Sequence, residues 1–312
     1  MNPAWSVIFL TTLIGAGQGL FLALAGVDAA ARFGVIAPVP ARFFVAGSTL
    51  SGVLLVAGLV ASFFHLGHPE RAWRAVAMWR TSWLSREVIV LPLCIAVVAA
   101  YGHAHATGLS CAGWIGAAGV VLCLALFACT AMIYICLKFL QEWHTPLTFV
   151  NFLLLGTASG TLLAAVLAFA GAAAPAGALA LAAGMLTAAG ALTRGLSLLR
   201  NARLRPRSTP QSATGIAYAK VVQKAQGAMG GSFNTREFFH GRTASAVRAV
   251  KWFFLLAVFV LPLVLISAVL AGAAPGWLTL AFAVQFAGLL AERWFFFAQA
   301  RHPQNIYYQA IS

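Results

Sequence analysis

Eight apolar runs start near residues 5, 42, 86, 112, 147, 176, 250 and 276. Each has roughly the 18 to 25 residues needed to cross a hydrocarbon core. No other feature narrows the fold so far. In lipid every backbone N–H and C=O must find a partner within the chain, so runs of this length become helices. The predicted architecture is therefore an all-α integral membrane protein, a bundle of eight transmembrane helices, with residues 1–312 forming one transmembrane domain. Composition agrees, since 62% of the residues are hydrophobic and only 8% are charged, a charge content too low for a soluble domain of this size. The first run lacks the basic flank of a cleaved signal peptide and is of spanning length, so it is expected to remain as the first span.

Charge placement gives the orientation. Six of the seven connections are short or moderate; the exception, at about 201–249, is a polar and basic loop. With eight spans, both termini share a side with the loops after the second, fourth and sixth runs. That side takes all of the 20 Lys and Arg residues except Arg32 and Arg42. The positive-inside rule then predicts that both termini and the basic loop are cytoplasmic. The net charge of +14 describes one face, suited to anionic membrane lipid or an acidic partner subunit. No basic domain stands apart from the membrane, which argues against nucleic acid as a partner.

Small residues mark helix contacts. Gly15-Ala16-Gly17-Gln18-Gly19 and Gly156-Thr157-Ala158-Ser159-Gly160 both contain G-x-x-x-G, which lets backbones approach closely. Gln18 is expected to hydrogen-bond across a helix seam or to line a cavity. The five cysteines, Cys94, Cys111, Cys123, Cys129 and Cys136, show no C-x-x-C spacing. They are read as small buried hydrophobes, with no iron–sulfur cluster and no metal site in this chain.

Between the second and third runs, residues 63–87 hold two His, four Arg, two Glu and three Trp. Ionisable groups beside a membrane helix are costly and mark a site or a docking surface. His65 and His68 would share a face if the helix continued, but Pro69 favours a helix end there. An imidazole can donate to a carbonyl oxygen, Arg71 and Arg86 supply fixed positive charge, and Glu87 at the membrane edge can pass a proton. These are the groups a quinone head needs, and Tyr134, on the same side, could close such a pocket. The plainer reading is a polar hairpin whose charges pair with each other and with a partner. His103 and His105 read as surface histidines. Haem needs axial histidines at depth on facing helices, whereas all seven histidines here lie at span ends or in loops, so no haem is expected.

The residues Phe64, His65, Leu66, Gly67, Pro69, Arg71, Ala72 and Trp73, followed by Arg80-Thr81-Ser82-Trp83-Leu84-Ser85-Arg86-Glu87, resemble the membrane anchor subunits of the dimethyl sulfoxide reductase family. That resemblance implies a haem-free, eight-span protein of the bacterial inner membrane. It would hold a molybdopterin catalytic subunit and an iron–sulfur electron-transfer subunit and exchange electrons with ubiquinone or menaquinone. His65, Gly67, Pro69, Arg71, Ser85 and Glu87 match the family pattern, with His65 and Glu87 expected near the quinone. The segment from Gly231 to Gly241 is similar to members associated with sulfite oxidation, which implies partner subunits on the cytoplasmic face. Arg74, Arg80, Arg203, Arg205 and Arg207 are then the expected docking residues. Substrate oxidation would belong to the partner. The alternatives are an anchor that oxidises quinol, a purely structural anchor and a secondary transporter. The transporter would need mid-membrane ionisable residues and repeated broken helices; the acidic residues instead read as span-end or loop groups.

Overall fold

The computed structural model describes residues 1–312 except 65, 172, 174, 223, 225–237, 304 and 306–312. Among the described residues the regular structure is helical. Helices α1 (Trp5–Arg32), α2 (Ala41–Phe63), α3 (Trp83–Thr107), α4 (Ala112–Ile135), α5 (Pro146–Ala170) and α6 (Ala176–Ala202) are followed by the short α7 (Pro210–Thr214), then α8 (Ala244–Leu270) and α9 (Gly276–Ala298). All but α7 are long and apolar enough to cross a membrane, which makes eight. A multi-pass membrane protein follows.

Helix starts fall where local chemistry sets them. The α3 helix begins at Trp83, ahead of the apolar run, because the Ser82 side chain accepts from the Ser85 N–H. Likewise α8 begins at Ala244, since Thr243 accepts from the Ala246 N–H and a polar turn precedes the apolar residues. At the other end of the motif, α2 stops at Phe63, before either histidine. Residues 66–68 are not helical, because Gly67 and the pre-proline His68 both disfavour helix.

The seam between α1 and α5 centres the bundle. A Cβ on Gly19 would collide with the backbone of Gly156 and Thr157, and one on Gly160 with the backbone of Gly19 and Leu20. The two G-x-x-x-G patterns thus face each other, as their spacing predicts. Helix α1 also packs on α2, α4 and α9, and it and α5 are the most deeply buried of the spans. Cys94 and Cys123 meet Sγ to Sγ at 3.4 Å in this core. Cys111 and Cys136, expected among the buried ones, are exposed instead, because each lies at an end of α4.

Helix α8 carries a π-helical segment, Leu256–Val260, just before Pro262. A proline cannot donate to the carbonyl four residues earlier, which here is that of Val258. The Gln285 Nε2 of α9 donates to that oxygen at 3.2 Å and to Thr187 Oγ1 of α6 at 3.1 Å. One side-chain amide therefore joins α6, α8 and α9 at the irregularity.

Candidate functional site

The loop between α2 and α3 is built on its surface rather than inward. Pro69 opens a 3₁₀ helix, Pro69–Met78, with no buried residue. His68 Nδ1 lies 3.0 Å from Glu70 Oε1, and Arg71 is 3.7 Å from the same oxygen. Arg74 stacks over Trp73 at 5.5 Å, Arg80 over Trp79 at 5.3 Å and Arg86 over Trp83 at 4.2 Å. Arg86 also closes the loop, donating to the Trp79 and Arg80 carbonyls at 2.9 and 2.7 Å. A Cβ on Gly67 would meet nothing within 4 Å, and Trp73 remains 71% exposed. His65 lies outside the described residues.

One turn into α3 the chemistry turns inward. Glu87 is buried and accepts a hydrogen bond from Thr130 Oγ1 of α4. Together with Thr11, Ile14, Gly15, Gln18, Phe127, Thr130 and Phe152 it walls a cavity of about 10 Å³, room for a single water. Gln18 does both things its sequence position suggests, since it lines this cavity and its Nε2 donates to the Cys123 carbonyl at 3.3 Å. Glu87, Thr130 and Phe152 each lie within two turns of the helix end on this side, about 6–9 Å deep at 1.5 Å per residue.

Tyr134 is buried beside the cavity and not in its wall. Its ring stacks on Phe152 at 5.7 Å and meets Trp143, Phe296 and Phe297 edge-on at 5.3, 5.4 and 5.5 Å. Trp143 Nε1 donates to the Phe296 carbonyl at 2.9 Å. The aromatic box therefore clamps the start of α5 to the end of α9. Of the six residues expected around a quinone, the structure brings Glu87 and Tyr134 to the same buried layer. It leaves Gly67 and Arg71 on the outer loop, and Arg86 holds that loop closed.

A second group of buried charges departs from the sequence-based expectation. Arg194, Glu292 and Arg293, read from the sequence as span-end groups, lie inside α6 and α9 at 1%, 1% and 4% exposure. Arg194 Nε is 2.8 Å from Glu292 Oε1, and Arg293 Nη1 is 3.2 Å from Glu292 Oε2. Arg194 also faces the Phe254 ring at 5.6 Å, while Arg293 sits 3.7 Å from the centroid of Phe152. The signal available in the sequence is Arg194 itself, more than two turns inside an Ala/Leu-rich run.

At the opposite end of the bundle, Asp28 pairs with Arg32 at 3.0 Å, and its other oxygen is 3.5 Å from His105 Nε2. His105 stacks on Phe44 at 4.3 Å. It is thus no surface histidine, unlike the exposed His103, because it faces the seam where α1, α2 and α3 meet. The docking candidates Arg74, Arg80, Arg203, Arg205 and Arg207 are all exposed. Among the described residues no group of three or more His, Cys, Asp or Glu could hold a metal ion.

Two comparisons bear on this arrangement. The family model described as DMSO reductase anchor subunit (DmsC) matches residues 1–298. A protein of Allochromatium vinosum, named as one of the subunits of sulfite dehydrogenase, is 53% identical over 332 aligned positions, which take in the whole of both chains.

Proposed function

The chain belongs to the DMSO reductase anchor subunit (DmsC) family, and from that premise we propose that it is the quinone-reactive membrane anchor of a molybdopterin/iron–sulfur oxidoreductase. Electrons pass between an iron–sulfur subunit and membrane quinone, and substrate oxidation takes place in the catalytic partner. Likeness to a chain whose name assigns it to sulfite dehydrogenase supports sulfite as that substrate, with quinone as the acceptor. The asymmetry of basic residues supports docking of both partners on the cytoplasmic face of a bacterial inner membrane.

The observation that carries this reading is Glu87, a carboxyl group buried within a membrane span at the end of the bundle that carries the basic loop. Buried acids in spans mark proton or substrate paths. The donor set fits a quinone's needs in chemistry, with a hydroxyl, a carboxyl and an amide converging. The cavity volume fits a water and not a ring, so Glu87 serves proton delivery behind a head group seated at the rim. Bound there, quinone supplies an acceptor for two electrons and two protons. Thr130 fixes the carboxyl rotamer, Gln18 keeps the wall polar, and the aromatic box around Tyr134 holds the surrounding helices together.

The test is Glu87→Gln in the assembled complex, comparing a soluble quinone analogue with an artificial acceptor that takes electrons from the partner subunits. The quinone rate is expected to fall about tenfold, below the ~100-fold lower end for a positioned acid–base group, since water can carry part of the proton flow. The defect should grow with pH as that alternative supply declines, while the artificial-acceptor rate stays unchanged. Wild-type rates with both acceptors would remove Glu87 from the site.

Docking is tested separately. Replacing Arg203, Arg205 and Arg207 together by Gln should weaken partner association or lipid contact without affecting folding, because each charge near an anionic surface contributes about 1 kcal/mol. Co-purification of the partners should then be lost at lower salt than in the wild type. An unchanged salt profile would exclude this loop as the dock.

A further inference from the structure

The cluster of Arg194, Glu292 and Arg293 holds two guanidiniums and one carboxylate, all buried. A structural ion pair needs no second arginine, and surplus charge in a protein interior is expensive. The surplus is also placed. Arg293 rests against Phe152, and Phe152 walls the Glu87 cavity, whereas Arg194 faces away over Phe254. The geometry points to Arg293 as a positioning residue for an anion: its charge, felt through Phe152, favours an ionised oxygen on a ligand seated at the Glu87 cavity.

This rests on the quinone reading above and assigns it a charge preference. The other groups facing the cavity leave Arg293 as the natural source of positive field. Helix α4 contributes Phe127 and Thr130, α1 contributes Thr11 and Gln18, and α5 contributes Phe152, with Tyr134 stacked behind Phe152. Helix α2 carries a single charged residue, Arg42, at its far end. Arg86, next to Glu87, reaches out to the Trp79 and Arg80 carbonyls in the exposed loop, where solvent screens its charge.

The experiment measures binding, not turnover. A hydroxynaphthoquinone whose ring hydroxyl is ionised at neutral pH, and its uncharged methyl ether, are titrated by equilibrium dialysis into the detergent-solubilised complex. Arg293→Met should weaken the anion about tenfold and leave the ether within about twofold, the scale of a unit charge acting over ~10 Å at an effective dielectric of ~20. Arg293→Lys should retain the preference. Arg194→Met should also weaken the anion, because Glu292 then neutralises Arg293 while Phe152 is untouched. Each Met variant leaves one neutral Arg–Glu pair, so neither strands a lone buried charge. Equal loss of both ligands in Arg293→Met, or no effect of Arg194→Met on the anion, would overturn the proposal while the quinone reading stands. If neither ligand binds the wild-type complex, the quinone reading and this proposal fall together.

Discussion

His65→Ala is expected to slow electron transfer to quinone on the order of 100-fold, the usual loss when one preorganised donor to a developing negative charge is removed. The complex should still assemble. Helix α2 spans Ala41–Phe63, so the substitution falls outside the residues of that helix. An imidazole can donate to a quinone oxygen and change protonation near neutral pH, which no neighbouring loop residue does as well. Arg71 and His68 are both drawn to Glu70. The measurement compares partner activity with an artificial acceptor against activity with a soluble quinone analogue. Loss confined to the quinone assay supports the role. Wild-type rates in both assays would place the site elsewhere and leave the loop as a docking hairpin.

Gly160→Ala should destabilise the folded protein by at least the ~1–3 kcal/mol typical of overpacking. The added carbon would meet the backbone of Gly19 and Leu20, and backbone cannot rotate aside as a side chain can. Helices α1 and α5 would have to separate along the seam around which α2, α4 and α9 are arranged. Gly52→Ala in α2 is the control, because nothing lies within 4 Å of the added carbon. Thermal unfolding in mild detergent should show a large drop for the first variant and little change for the second. Similar transitions for the two would mean that the seam tolerates a methyl group.

How far each feature can be read from the sequence depends on how local its cause is. The eight spans are legible because a bilayer imposes length and apolarity on a contiguous segment. The α1–α5 seam is legible because G-x-x-x-G is written within single helices. Glu87 can be singled out because a carboxyl at the start of an apolar run stands out against such a background. The pairing of Arg194 with Glu292, and of His105 with Asp28, depends on which helices become neighbours, and no spacing within either helix encodes that. Nor does the sequence around Pro262 announce that Gln285 fills the carbonyl it leaves free. The aromatic box is half legible, since Tyr134 stands out for its depth, while its partners Phe296 and Phe297 come from the last span.

The Arg194–Glu292 pair has a consequence for how the chain is made. Helix α6 leaves the ribosome long before α9, so Arg194 enters the membrane without its carboxylate. A lone arginine at the centre of a helix costs about 2.5–3.5 kcal/mol on insertion scales, which the apolar remainder of α6 must offset. Until Glu292 arrives, the arginine side chain can reach back toward the basic end and its water. The closing of this pair on insertion of α9 is therefore a late step of biogenesis. A chain interrupted before that helix would carry an unmatched cation into the bilayer, a mark by which membrane quality control could tell unfinished copies from complete ones.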